Sequence, residues 1–169
     1  MTPLSKLNDF SRHDFVNLLG GIYEHSPWIA EAAHSHAPFE SIDTLLATLR
    51  ETVDTAPTDK QLALIRAHPD LGGKLARAGA LTAESTREQA GLGLDRLSDD
   101  EFEQLTDLNT RYRERFGFPF IICARLTTKD GVIKSFTSRL NNTATQEVTE
   151  ALQQIHHIAR LRLEDLVSG

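Results

Sequence analysis

The chain has 169 residues, 40% hydrophobic and 25% charged, which bounds it to one domain of ordinary size with material for one core. Its formal net charge of −6 argues against broad binding to nucleic acid or to an anionic membrane, while leaving room for an anionic small molecule that needs only one or two local cations. Cys123 is the only cysteine, so no intramolecular disulfide can form, and a reducing compartment is expected. Met1 to Phe10 carries no apolar signal core, and no window approaches a membrane span. Leu166-Val167-Ser168-Gly169 is not a peroxisomal or retention tripeptide. The expected location is therefore a bacterial cytoplasm. No zinc spacing is present: His34 and His36 sit on different helix faces, and the adjacent His156 and His157 diverge as well.

Helix punctuation recurs along the chain. Ser11 precedes Arg12 to Leu19, where Phe15, Leu18 and Leu19 share one face, and Gly20-Gly21 can end that helix. Ser26-Pro27 reads as an N-cap followed by proline at the first helical position, with Trp28, Ile29, Ala32 and Ala33 at helical spacing. Ser41 opens Ile42 to Val53, whose Ile42, Leu45, Leu46 and Leu49 form an apolar stripe. Pro57 and Thr58 open a segment that must stop near His68, because the residue before Pro69 is pushed out of the α region. Asp70 is then expected to cap the next turn, and Gly72-Gly73 lets the backbone bend or pack closely. Lys74 to Ala78 is a short helix at most.

Ser85-Thr86-Arg87-Glu88 and Ser98-Asp99-Asp100-Glu101 both match the capping box, and the second opens a long helix through Phe116. Phe118 to Ala124 is short, apolar and bounded by Gly117 and Pro119, so it is predicted to be extended and buried. Helices over about Asp130 to Leu140 and Thr143 to Val167 complete the chain. No second strand-like run can pair with 118–124. The expected fold is all-α, a single-domain bundle of about eight helices over residues 1–169, with one extended buried segment.

Several residues can carry chemistry, each with a plainer alternative. His68 sits at a helix break with its imidazole able to line a pocket, or it is a solvated residue in a linker. Glu88 either closes a capping box on Ser85 or meets a ligand at the same helix start. The N–H groups from Ser85 to Gln89 can hold carbonyls or anions there, or the helix end is an ordinary exposed one. The backbone groups of Phe118 to Ala124 need side chains, water or a ligand, and a flat heterocycle bearing ring and ureido amides suits them. Arg162 falls on the apolar face of the last helix with Ile155 and Ile158, whereas Arg160 falls off it. An arginine so placed takes either an internal glutamate or a substrate carboxylate. Cys123 lies among apolar residues that raise a thiol pKa, so no nucleophilic role is assigned to it.

Together these segments resemble the OHCU decarboxylase family, the cofactor-free 2-oxo-4-hydroxy-4-carboxy-5-ureidoimidazoline (OHCU) decarboxylases of urate degradation. The resemblance is carried by Ser26-Pro27-Trp28 with Phe39, Ala67-His68-Pro69-Asp70-Leu71, Ser85 to Leu92, Phe116 to Arg125 and Ile158-Ala159-Arg160-Leu161-Arg162-Leu163. It implies an all-α homodimer, with no metal or other cofactor, that converts OHCU to (S)-allantoin and CO₂. It also implies His68 as acid–base group, Glu88 and Arg162 as further catalytic residues, and Pro69 lining the pocket. Ser85, Thr86, Arg87, Glu88 and Gln89 contact substrate by the same implication, and the backbone of Phe120, Ile121, Ile122, Cys123 and Ala124 binds the ring amides. The competing class is a non-catalytic helical interaction module, with no polar pocket at His68.

Overall fold

The computed structural model describes residues 1–73, 76 and 78–169. The short helix expected over Lys74 to Ala78, and with it the turn that Asp70 was to cap, lies outside the fully described residues. The fold is all-α. Among the described residues there are nine α-helices: α1 (Leu4–Leu7), α2 (Arg12–Leu19), α3 (Trp28–His34), α4 (Ile42–Asp54), α5 (Thr58–Arg66), α6 (Ala83–Gly91), α7 (Asp99–Phe116), α8 (Lys129–Arg139) and α9 (Ala144–Leu166). The exception is one parallel pairing of two-residue strands, β1 (Thr2–Pro3) and β2 (Val167–Ser168). Such short strands leave no alternating pattern, so the sequence does not announce them. No helix among the described residues is long and apolar enough to cross a membrane.

Two compact units are present, one of residues Met1–Ala67 with His156–Gly169 and one of residues His68–Ile155. In the first, Ser11 and Ser41 cap α2 and α4 through their hydroxyls, as the sequence predicts. Ser26 does not cap α3: its hydroxyl donates to the Glu24 carbonyl, and Pro27 takes the N-cap position. Helices α2, α3 and α4 pack in succession around Phe15, Leu19, Ile29, Ala33, Leu45 and Leu49, all buried. Asn8 brackets the Phe39 backbone with two 2.9 Å hydrogen bonds, which sets Phe39 against Phe15.

The same unit buries a titratable chain. His156 Nε2 lies 3.0 Å from Asp54 Oδ1, and its Nδ1 lies 3.1 Å from the Tyr23 hydroxyl. A neutral ring protonated at Nε2 satisfies both contacts, donating to Asp54 and accepting from Tyr23. Burial lowers the His156 pKa below its ordinary value, against the opposing pull of Asp54, while Arg50 and His157 add to the lowering. The unfolded chain takes up a proton here below about pH 6.5 before the folded one does, so the contribution to stability is full above that pH and is lost as the pH falls. Thermal melts should therefore show a steeper loss of Tm from pH 7.5 to pH 5.5 in the wild type than in His156→Gln. Equal slopes would remove His156 as a source of acid sensitivity.

In the second unit, Ser98 and Glu101 form the predicted capping box at the start of α7, and Gly117 ends that helix with φ of 75°. Residues 118–121, 123 and 124 are buried without joining a sheet, as expected of the apolar run. Phe120 stacks on Phe136 with ring centroids 3.7 Å apart, and Tyr112 meets Phe120 edge-on. Gly72 has φ of +57°, the left-handed region that favours glycine, and a Cβ there would displace the Leu97 side chain, whose Cδ1 would lie 2.8 Å away.

Candidate active site

Helix α5 stops at Arg66, and His68 follows as a buried residue in the break imposed by Pro69, which is half-buried. The loop from Asp70 to Gly72 is then held by side chains from two helices. Gln89 of α6 accepts from the Gly72 N–H at 2.9 Å and donates to the Asp70 carbonyl at 3.3 Å. Asn109 of α7 donates to the Leu71 carbonyl at 3.0 Å. Arg113, one turn further on, pairs with Asp70 at 2.9 Å. Asp70 is thus an anchor of this loop.

Helix α6 corrects the sequence-based expectation. It begins at Ala83, with Thr82 as N-cap accepting the Ser85 N–H, and Thr86 N–H bonds the Thr82 carbonyl. Ser85 is therefore the third helical residue, and Glu88 lies in the second turn, outside any capping box. The N–H groups at 85–89 are not a free helix start either, because the start lies upstream. The earlier start has a physical reason: it puts Glu84 in the first turn, where the helix dipole favours a carboxylate, and it turns Ser85 and Gln89 inward together.

Ser85 and Gln89 are buried and Glu88 is half-buried between them, whereas Thr86 and Arg87 are exposed on the outer side. Arg87 lies 3.7 Å from Glu84 on that outer side. The structure does not bring Thr86 and Arg87 to the inner face. Helix α6 packs against the short 3₁₀ turn Ala124–Leu126, so the inner face of α6 adjoins the end of the extended segment. Burial pushes the Cys123 thiol pKa up and the nearby Glu88 carboxylate raises it further, while the Arg125 N–H pulls the other way. The thiol stays protonated, in keeping with the inert role expected for it.

The extended segment is fixed by side chains, which answers where its backbone groups go. Arg139 Nη1 donates to the Ile121 carbonyl at 2.6 Å, and the Cys123 N–H donates to Gln154 Oε1 at 2.9 Å. Sequence reasoning missed both. Arg139 carries the same signal as Arg162, an arginine in register with apolar residues (Val132 and Phe136 on α8), and reading α8 that way would have found it.

Arg162 belongs to the other unit. It is buried, as its place on the apolar face predicts, and its Nη1 donates to Glu24 at 3.0 Å and to the Gly21 and Ile22 carbonyls at 3.3 Å. The internal glutamate was one of the two partners its position allowed. Among the described residues no group of three or more His, Cys, Asp or Glu side chains is placed to hold a metal ion.

The fold and site define an all-α protein whose chemistry-bearing groups, a buried imidazole at a helix break and a half-buried carboxylate on an inner helix face, are carried by one helical unit. The sequence model of the OHCU decarboxylase family matches residues 8–164. The 2-oxo-4-hydroxy-4-carboxy-5-ureidoimidazoline decarboxylase of Haloferax volcanii is 41% identical over 166 residues, covering 98% of this chain and 96% of that one. The enzyme of the same name from Mus musculus is 40% identical, covering 97% and 92%. Among solved structures, one described as (S)-allantoin synthase superposes with a TM-score of 0.80 at 32% identity, covering 99% of this chain and 54% of that one. An OHCU decarboxylase solved in the presence of (S)-allantoin has a TM-score of 0.64 at 23% identity and 82% coverage of this chain, a likeness of fold. The chain belongs to the OHCU decarboxylase family.

Proposed function

We propose that the protein decarboxylates OHCU to (S)-allantoin and CO₂, the step that ends the conversion of urate to allantoin. The near-full-length identity to decarboxylases of that name carries the reading. The burial of His68 and the inward turn of Ser85, Glu88 and Gln89 support it from the site.

The chemistry needs a place for the electron pair of the breaking C–C bond. In OHCU the carbon losing CO₂ also bears a hydroxyl and adjoins a C=N bond of the ring. The pair forms a C=C bond with the ureido-bearing carbon as the C=N electrons pass to nitrogen, so the substrate supplies its own sink. The hydroxyl then gives up its proton to become the ring carbonyl, while the ureido-bearing carbon and the ring nitrogen each take one up. His68 performs these transfers, because the two ring nitrogens of an imidazole can accept and donate a proton in turn. Protonation from one face sets the (S) configuration. Pro69 and the inner face of α6, with Ser85 and Gln89, border the substrate, and the backbone of residues 120–124 takes its ring amides.

Glu88 is assigned the charge work. A carboxylate beside the departing carboxylate raises the ground state, and the penalty relaxes as neutral CO₂ leaves. Glu88→Gln keeps the shape and removes the charge, so kcat should fall while KM stays level or falls with it. A raised KM at unchanged kcat would make Glu88 a simple binding group.

The unbroken family match over residues 8–164 supports one family domain spanning both compact units. A homodimer in the bacterial cytoplasm, working without metal or other cofactor, completes the reading, and light scattering after gel filtration tests the dimer. The activity is tested by generating OHCU in situ from urate with the two preceding enzymes, adding this protein and following circular dichroism. Formation of (S)-allantoin well above spontaneous decay is expected; a rate equal to that decay contradicts the reading.

A further inference from the structure

The extended segment that the proposed function uses for ring amides is held by an ion pair buried behind it. Arg139 gives its Nε to Glu147 Oε2 at 3.0 Å and its Nη2 to the same oxygen at 2.9 Å. Glu147 is fully buried and also accepts from Asn142 at 2.7 Å and from the Tyr112 hydroxyl. The remaining arm of the guanidinium, Nη1, reaches the Ile121 carbonyl, and the guanidinium carbon lies 4.3 Å over the Phe120 ring. Burying such a pair is a weak way to stabilise a core, since apolar side chains of the same volume serve as well. What a clamped guanidinium adds is a fixed direction and a charge.

Both act on one peptide plane. In a trans peptide the C=O of Ile121 and the N–H of Ile122 point opposite ways. With the carbonyl held on Arg139, the Ile122 N–H faces away from it. The charged donor also polarises the peptide and strengthens that N–H as a donor. The next peptide repeats the pattern: Cys123 N–H is held by Gln154, itself bonded to Glu150 at 2.8 Å, so the Ile122 carbonyl faces away from Gln154. In extended backbone the C=O of one residue and the N–H two residues on share an edge, and the groups of the residue between share the other. The edge opposite the anchors therefore offers the N–H and C=O of Ile122 side by side. No hydrogen bond among the described residues uses either group, and Ile122 is half-buried. A donor and an acceptor so paired match an adjacent C=O and N–H of a cyclic amide or ureide.

We propose that Arg139, clamped by Glu147, is a positioning residue that fixes and polarises the Ile121–Ile122 peptide so that the Ile122 N–H donates to a carbonyl oxygen of the substrate. The proposal rests on the decarboxylase reading above. Arg139→Lys keeps the charge but cannot hold Glu147 and Ile121 at once. It should raise KM for OHCU about tenfold, the effect of weakening one hydrogen bond to substrate, with kcat changed much less. In an assigned ¹H–¹⁵N spectrum its Ile122 amide proton should move upfield, because the polarising donor is lost from the same peptide. Tyr112→Phe removes a partner of Glu147 and leaves the Ile121 contact, so it should lower Tm and leave KM unchanged. A folded Arg139→Lys with wild-type KM and an unmoved Ile122 amide overturns the proposal. Should Arg139→Lys not fold, Arg139→Gln takes its place, since it too removes the charged donor from the Ile121 carbonyl, with the same expected and contrary results. Absence of turnover in the wild type counts instead against the decarboxylase reading, while the Ile122 shift still reports on the peptide.

Discussion

His68→Asn is expected to lower kcat/KM for OHCU by about 10²- to 10⁴-fold, the usual worth of a positioned acid–base group. Asparagine keeps a polar side chain of similar reach and removes the titrating ring. The loop that presents residue 68 is held by Gln89, Asn109 and Arg113. A thermal melt of the variant beside the wild type separates a loss of chemistry from a loss of fold. The loss corresponds to about 3–5 kcal/mol of transition-state stabilisation. Turnover within a few-fold of wild type, measured by circular dichroism of (S)-allantoin, would remove His68 from the proton transfers.

The largest expected effect on stability lies at Glu147. Glu147→Ala leaves the buried Arg139 guanidinium without its carboxylate and takes an acceptor from Tyr112 and Asn142 as well. Removing one partner of a buried pair costs about 3–5 kcal/mol, because the remaining charge is stranded away from water. For a chain of this size that corresponds to a fall in Tm of roughly 6–20 °C. Scanning calorimetry at neutral pH reads it directly. A fall of only a degree or two would mean that water reaches Arg139 once the carboxylate is gone.

These two residues mark the boundary of what a sequence shows. His68 was legible because its constraint is local: Pro69 must break the helix, and the break places the imidazole whatever else the fold does. The starts of α2, α4 and α7 were legible for the same reason, since Ser11, Ser41 and Ser98 each cap the third residue on. The start of α6 was not. Thr82 and Ser85 are both good caps, and the choice between them turns on which face is buried, a tertiary matter. With Thr82 as cap, Ser85 and Gln89 point inward, and Gln89 reaches the loop after His68. That reach across 17 residues has no periodic signature.

The anchors of the extended segment were hidden in another way. That Phe118 to Ala124 would be buried and extended follows from composition and flanking residues, and its backbone needed partners. Arg139 and Gln154 could not be named as those partners, because pairing across 18 and 31 residues depends on how the helices pack. Arg162 shows both sides: its burial was readable from the apolar stripe, but Glu24, which lies 138 residues away in sequence, was not.

The central claim is that the substrate is handled by the His68 loop, the inner face of α6 and the Ile122 edge together. A crystal structure with (S)-allantoin bound tests it most directly. The product should lie within hydrogen-bond distance of His68 and Glu88, with a ring amide on the Ile122 backbone. Product seated on Thr86 and Arg87, or at a surface away from His68, would contradict it.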